Sequence, residues 1–196
     1  MEEIDLATYR RDINWLGVPH RANEALHRLM AAGSAATEVV REGLLHDDPA
    51  VRVGCCKVLD HFMDEASVPA LIANLTHPNE EVRCWAMHAL ACDKCKEGSC
   101  RPGEDEVIPI AARMLIEDGS RRVRQSAAGL VGESVHRSKA ALPALQHARV
   151  HDPSPIVRKI AGWYLPGGPR YKALMPKVPR TQPGKRVKAE LVVVQG

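Results

Sequence analysis

Aromatic residues are scarce in this sequence, at 4% of 196 positions with a single Phe, and runs of β-branched residues are few. Strands draw on those residue types, so an all-β fold is excluded. Long apolar runs are missing as well: none approaches the roughly 18 residues that a membrane span needs. The opening Met1-Glu2-Glu3-Ile4-Asp5-Leu6 lacks the basic start and apolar core of a secretory signal. The expectation is a cytoplasmic chain with no membrane partner. An overall excess of one charge is also lacking, since 27 Lys/Arg against 24 Asp/Glu leave only +3. That balance hides an asymmetry. From Pro166 onward seven Lys/Arg face one acid, Glu190, so the tail carries +6 and the preceding residues −3. In a reducing cytosol the six cysteines read as thiols or metal ligands rather than as a disulfide framework.

What is abundant is Ala, Leu, Arg and Glu, all good helix formers, within 45% apolar content. A chain of this size can bury one sizeable core. It is also internally repetitive. A turn followed by an aliphatic-Arg pair recurs as His46-Asp47-Asp48-Pro49-Ala50-Val51-Arg52, His77-Pro78-Asn79-Glu80-Glu81-Val82-Arg83, Asp118-Gly119-Ser120-Arg121-Arg122-Val123-Arg124 and His151-Asp152-Pro153-Ser154-Pro155-Ile156-Val157-Arg158, with the arginines 31, 41 and 34 positions apart. A second marker keeps step: Pro69, Pro109 and Pro143, each opening an apolar helix, lie 14, 15 and 15 residues before their arginines. Two markers in register define a structural repeat.

Each unit predicts two antiparallel helices. The first carries its Pro near the start, where a missing N–H costs nothing. The second begins at the Asp/Pro/Ser turn, whose side chains cap exposed N–H groups. The predicted pairs are 34–45 with 49–62, 65–75 with 79–92, 104–117 with 120–134, and 138–150 with 154–165. Residues 1–33, with helices near Ile4–Trp15 and His20–Ala31, form an atypical capping pair, as terminal units of such arrays do. The array thus covers 1–165. Beyond it, 166–196 is a basic, Pro-rich tail with Pro176, Pro179 and Pro183, expected to be extended or disordered. Its Leu191-Val192-Val193-Val194 either adds a strand to a partner or packs back on the body.

The Asp-x-x-x-Val-Arg turn and the Pro-x-Leu helix resemble HEAT-type repeats, in the short bacterial form also seen in phycobilin-lyase-like proteins. The resemblance covers residues 34–165. It implies an all-α, right-handed α-solenoid of about five helix pairs, with the second helices lining a concave surface. It also implies that Asp47, Asp118 and Asp152 form a ladder with Arg52, Arg83, Arg124 and Arg158, and that the array binds another macromolecule.

On the second helices, a 100° step places Val82, Ala86 and Leu90, and equally Val51, Cys55 and Leu59, on one core face; Cys56 and Cys84 read as small buried hydrophobes. The opposite face carries Trp85, His88 and Cys92, three and four apart. Equivalent positions hold Lys57 and His61, Gly129 and Glu133, and Ile160 and Trp163. This row is the candidate partner-binding surface, with Trp85, His61, Lys57, Glu133 and Trp163 as its members; packing of Trp85 and Trp163 between neighbouring helices is the alternative.

The 93–103 stretch lengthens one repeat and follows Cys92 with Cys95 and Cys100. Three thiols within nine residues match how a chain wraps a soft metal, and His88 is placed as a fourth ligand. A closed Cys3His zinc site is one reading. An all-cysteine set that recruits Cys84 would suit an iron–sulfur cluster, and free thiols or a Cys92–Cys95 redox pair are the plain alternative.

The leading function is a non-enzymatic scaffold for a protein partner. The alternative is nucleic-acid binding, because some HEAT-type proteins resemble DNA glycosylases that hold DNA with Trp and Asp residues. Trp85 and Trp163 would then act with phosphate contacts from the basic tail. A HEAT-type di-iron hydroxylase would need paired His-Glu dipeptides, and the sequence has none. Neither a Ser-His-Asp set nor a phosphate loop is recognisable, and the repeat type alone leaves a phycobilin lyase as the enzymatic alternative to the scaffold.

Overall fold

The structure, a computed structural model, describes residues 3–91 and 104–176. Among these residues every regular element is helical. The first pair is α1 (Glu3–Leu16) and α2 (Ala22–Ala32). Four further pairs follow: α3 (Thr37–Gly43) with α4 (Pro49–Phe62), α5 (Val68–Asn74) with α6 (Glu80–Ala91), α7 (Glu104–Glu117) with α8 (Arg121–Glu133), and α9 (Ala141–His151) with α10 (Pro155–Trp163). A short α11 spans Pro169–Ala173. Single 3-10 turns at Gly33–Ala36 and Glu65–Ser67 lead into α3 and α5.

The helices stack in two layers. The second helices form a continuous row, with α2 against α4, α4 against α6, α6 against α8 and α8 against α10; in the other layer α1 packs on α3 and α7 on α9. The core lies between the layers. Val51, Cys55, Leu59, Val82, Ala86 and Leu90 are all buried, as the helical period requires, together with Leu29, Leu44, Leu71, Leu115 and Leu145. Burial pushes the Cys55 thiol far up and the Cys56 thiol up to about 12, so both stay protonated and act as apolar filler. No described helix is long and apolar enough to cross a membrane.

The turns tie one pair to the next, and here the structure revises the predicted register. The residue six places before each arginine is His46, His77, Asp118 and Asp152. Each accepts the backbone N–H two residues on: His46 Nδ1 from Asp48 at 2.9 Å, His77 Nδ1 from Asn79 at 3.0 Å, Asp118 Oδ1 from Ser120 at 2.8 Å and Asp152 Oδ1 from Ser154 at 2.7 Å. Asp47 is therefore not a member of the ladder. It sits one place too late and is exposed. The helix caps are Asp48, Asn79 and Ser120, each accepting from the first turn of its second helix.

Three of the arginines reach across to the next pair, whereas Arg158, in the last pair, donates to its own turn, to the Asp152 and Pro153 carbonyls at 2.7 and 3.1 Å. Arg83 grips Asp118 with Nε and Nη2 at 2.8 and 2.9 Å, and Arg124 grips Asp152 at 2.8 and 3.3 Å. Arg52 instead donates to Asn74 Oδ1 at 3.0 Å and to the His46 and Leu45 carbonyls at 2.6 and 3.2 Å.

The predicted 104–117 helix is found as α7, with Pro109 inside it rather than at its first turn. The acids Glu104, Asp105 and Glu106 favour a helix N-terminus ahead of the proline. The start of the tail is not extended. Pro169 at the first turn starts α11, and the helix is held by Arg170 on Glu133 and by His136 Nε2 against the Tyr171 carbonyl at 2.8 Å, the two rings 4.3 Å apart. At the other end the capping pair closes on Asp12, buried beneath Arg11 and Arg28, while Arg11, Arg21 and Arg28 surround the Trp15 ring at 4.6, 4.4 and 4.9 Å.

Candidate functional site

Two troughs lie along the row of second helices. The first, of about 470 Å3, runs between α2, α4 and the start of α6, with Gly54 and Ala50 on its floor and Lys57 and Glu81 on its wall. The second, of about 350 Å3, lies between α6 and α8 and is lined by Trp85, Met87, His88, Arg122, Leu130 and Glu133, over Ser126 and Gly129. Lys57 and Trp85 form the ridge between them, with the ammonium 4.9 Å from the ring centroid. The depth of the second trough comes from small residues on α8. A Cβ on Gly129 would meet no atom within 4 Å, so the floor there is open space. Trp85, Met87 and Leu130 give it an apolar, aromatic wall, and His88, Arg122, Ser126 and Glu133 set polar groups around that wall, the mixture that binding clefts use.

The trough brings together three of the predicted residues, Trp85, His88 and Glu133. Glu133 is held from within the chain: the Tyr164 hydroxyl donates to it at 3.0 Å and Arg170 pairs with it. Tyr164 in turn packs on Gly132, where a Cβ would collide with the ring. Arg122, which the sequence reading did not single out, rims the trough and pairs with Glu81 at 2.7 Å. Lys57 belongs to the ridge. Trp163 is separate, on the α10 face with Lys159 5.8 Å from its ring, and is 39% exposed.

Beside the ridge stands a group that sequence reasoning missed. Asp60, near the end of α4, is 3% exposed, with Oδ2 3.3 Å from His88 Nε2 and 3.9 Å from His61 Nε2. His88 also meets Trp85 edge-on at 5.5 Å. A signal was available: the positions equivalent to Asp60 in the later repeats are Ala91, Gly132 and Pro166, so an acid there is out of pattern and needs a polar partner to be buried.

Cys92, Cys95 and Cys100 lie outside the described residues. Among the described residues no group of three or more His, Cys, Asp and Glu is placed to hold a metal ion. Cys84 is buried with its thiol pushed up by burial, although a Ser126 hydrogen bond and Arg122 act the other way. A group that resists ionisation is a poor thiolate ligand.

Paired helices in two layers, joined by an arginine ladder and carrying clefts along one row, define a helical-repeat protein. The profile of the HEAT repeats family matches residues 18–91, 37–128 and 75–166 in overlapping windows, and the chain belongs to that family. HEAT repeats are commonly protein-interaction scaffolds. No curated protein matches the chain.

Proposed function

We propose that this chain is a non-enzymatic, cytoplasmic HEAT scaffold that holds a protein partner against its row of second helices, the inner wall of a right-handed solenoid. The observation that carries this reading is the trough over Ser126 and Gly129: about 350 Å3, largely apolar, walled by Trp85 and open at its floor. A partner's aliphatic or aromatic side chain seated there would be desolvated against a rigid ring, the arrangement of an interface anchor. Trp163 and Ile160 extend the same row onto α10, and Lys57 and His61 extend it onto α4. Affinity capture with the full chain tests the reading. A Trp85→Ala/Trp163→Ala double variant that keeps its fold is expected to lose the partners captured by the wild type, and recovery of the same partners would contradict it.

The same reading places a structural metal at the end of α6, with Cys92, Cys95, Cys100 and His88 as ligands and zinc as the ion, or an iron–sulfur cluster if the set is all cysteine. The Asp60–His88 contact supports it. Metal-bound histidines usually give their second nitrogen to a carboxylate that fixes the ring, and His88 Nε2 lies 3.3 Å from Asp60 Oδ2. Metal analysis of anaerobically purified protein is expected to find a stoichiometric ion that Cys95→Ser loses. Metal-free wild type would return the segment to a thiol-bearing loop.

A further inference from the structure

We propose that the C-terminal end of the array is a second docking surface, one that takes an acidic helix–turn–helix of another protein in the place of a next repeat. The proposal does not rest on the α6–α8 trough.

The ladder ends on an arginine that is set up like the others but has nothing to grip. Arg83 is anchored through Nη1 to the His77 and Pro78 carbonyls of its own turn at 2.8 and 2.9 Å, and Arg124 to the Asp118 and Gly119 carbonyls at 2.8 and 3.2 Å. In both, Nε and Nη2 are left to take the aspartate of the next pair. Arg158 has the same Nη1 anchor, on the Asp152 and Pro153 carbonyls, and among the described residues no carboxylate takes its Nε and Nη2. A guanidinium fixed in this way is a preorganised bidentate site for a carboxylate.

The helix that carries it is apolar where earlier repeats touch their successors. Glu81 pairs with Arg122 at 2.7 Å, Cys84 hydrogen-bonds Ser126, and Lys57 lies 4.9 Å from the Trp85 ring, each reaching one repeat on. Counted from the arginine, the equivalents on α10 are Ile156, Lys159 and Trp163. Ile156 and Trp163 are 45% and 39% exposed, and the Lys159 ammonium lies 5.8 Å from the Trp163 ring. Terminal units close an array with a polar outer face, whereas α10 presents the contact positions of an interior repeat.

Charge says what kind of chain fits. Residues 134–176 hold seven Lys/Arg and a single acid, Asp152, which Arg124 already grips. A second copy matches poorly end to end: two C-terminal ends repel, and the N-terminal end presents Arg11, Arg21 and Arg28 around Trp15. A different protein, whose turn supplies an aspartate to Arg158 and whose helix seats an apolar side chain between Ile156 and Trp163, satisfies both the fork and the apolar face.

The test puts the photoreactive residue p-benzoylphenylalanine at position 159 of the full chain, irradiates the cells that make it and sequences the adducts by mass spectrometry. The expected adduct lies on an acidic helix–turn–helix segment of another protein. Its yield is expected to fall at least tenfold with Ile156→Asp and with Arg158→Ala. Arg158→Lys keeps the charge and a donor for the turn but not the fork, and is expected to lower the yield as much with an unchanged melting temperature. Absence of any adduct, adducts confined to this chain or a second copy, or a yield indifferent to Ile156→Asp and Arg158→Lys would overturn the proposal. Trp85→Ala is expected to leave this adduct in place while removing a partner held in the trough, so the two surfaces fail separately.

Discussion

The two halves of the turn ladder build the same backbone shape with different chemistry. In the third and fourth repeats the turn acceptor is Asp118 or Asp152, and its carboxylate does two things at once: one oxygen takes the turn N–H, and both take an arginine from the preceding repeat. In the first and second repeats the acceptor is the Nδ1 of His46 or His77, which serves the turn equally well but has no capacity left for a cation. Arg52 therefore turns to the neutral Asn74, which is fixed by donating to the Leu44 and Ala70 carbonyls at 3.1 and 2.8 Å. Turn formation and repeat-to-repeat coupling are thus separable functions of one position. At this turn position the C-terminal repeats are coupled by buried Arg–Asp pairs, and the first two repeats by Arg52 on a neutral amide, with the more exposed Arg41–Asp64 pair at 2.9 Å beside it.

The largest effect that would expose this difference is Asp152→Ala. It strands Arg124, whose side chain is 9% exposed, and breaking a buried pair from one side costs about 3–5 kcal/mol, readable by urea denaturation. Asp118→His converts an ionic link into the N-terminal kind. It keeps the turn acceptor but leaves Arg83 against a neutral ring, and is expected to cost roughly 2–3 kcal/mol. Should the two substitutions prove equal in cost, the turn bond rather than the arginine would be the dominant contribution. Asn74→Ala removes the partner of Arg52 and two carbonyl contacts, and is expected to cost about 1–2 kcal/mol. His77→Asp runs the conversion in the opposite direction and offers Arg52 a carboxylate; thermal melts should show stabilisation by about 1 kcal/mol.

The smallest effect is that of pH. Burial holds the His77 pKa below its ordinary value, with the Arg52 and Arg83 charges acting the same way, so the folded chain prefers the neutral ring. Its contribution is present above the unfolded histidine pKa of about 6.5 and is lost as pH falls through the lower folded value. Wild-type melting temperature should drop more between neutral and mildly acidic pH than that of His77→Asn, which keeps a turn acceptor but does not titrate.

Much of the array was legible because its helices repeat one physical rule. Val82, Ala86 and Leu90 fall on one face by period alone, and they are buried. The ladder was misread at Asp47 because an acid in a turn looks like the ladder acceptor, whereas counting six residues back from each arginine lands on His46. The helix around Pro109 was legible at both ends, 104 and 117, because Glu104, Asp105 and Glu106 extend it upstream of the proline. Asp60 and the Arg170–Glu133 contact were hidden because each depends on a neighbour 28 or 37 positions away, which no local pattern encodes. Trp85, His88 and Glu133 share one trough as their helical spacing implied, while Trp163 stands apart on α10.

The central claim is that the trough over Gly129 is where a partner binds, and titration calorimetry of the captured partner against wild type and Gly129→Phe tests it most directly. Because a Cβ at Gly129 meets no atom within 4 Å, leaving the Phe ring to extend into the trough, the variant is expected to melt like the wild type and yet bind at least tenfold more weakly. Equal affinity in a fold of equal stability would contradict the account.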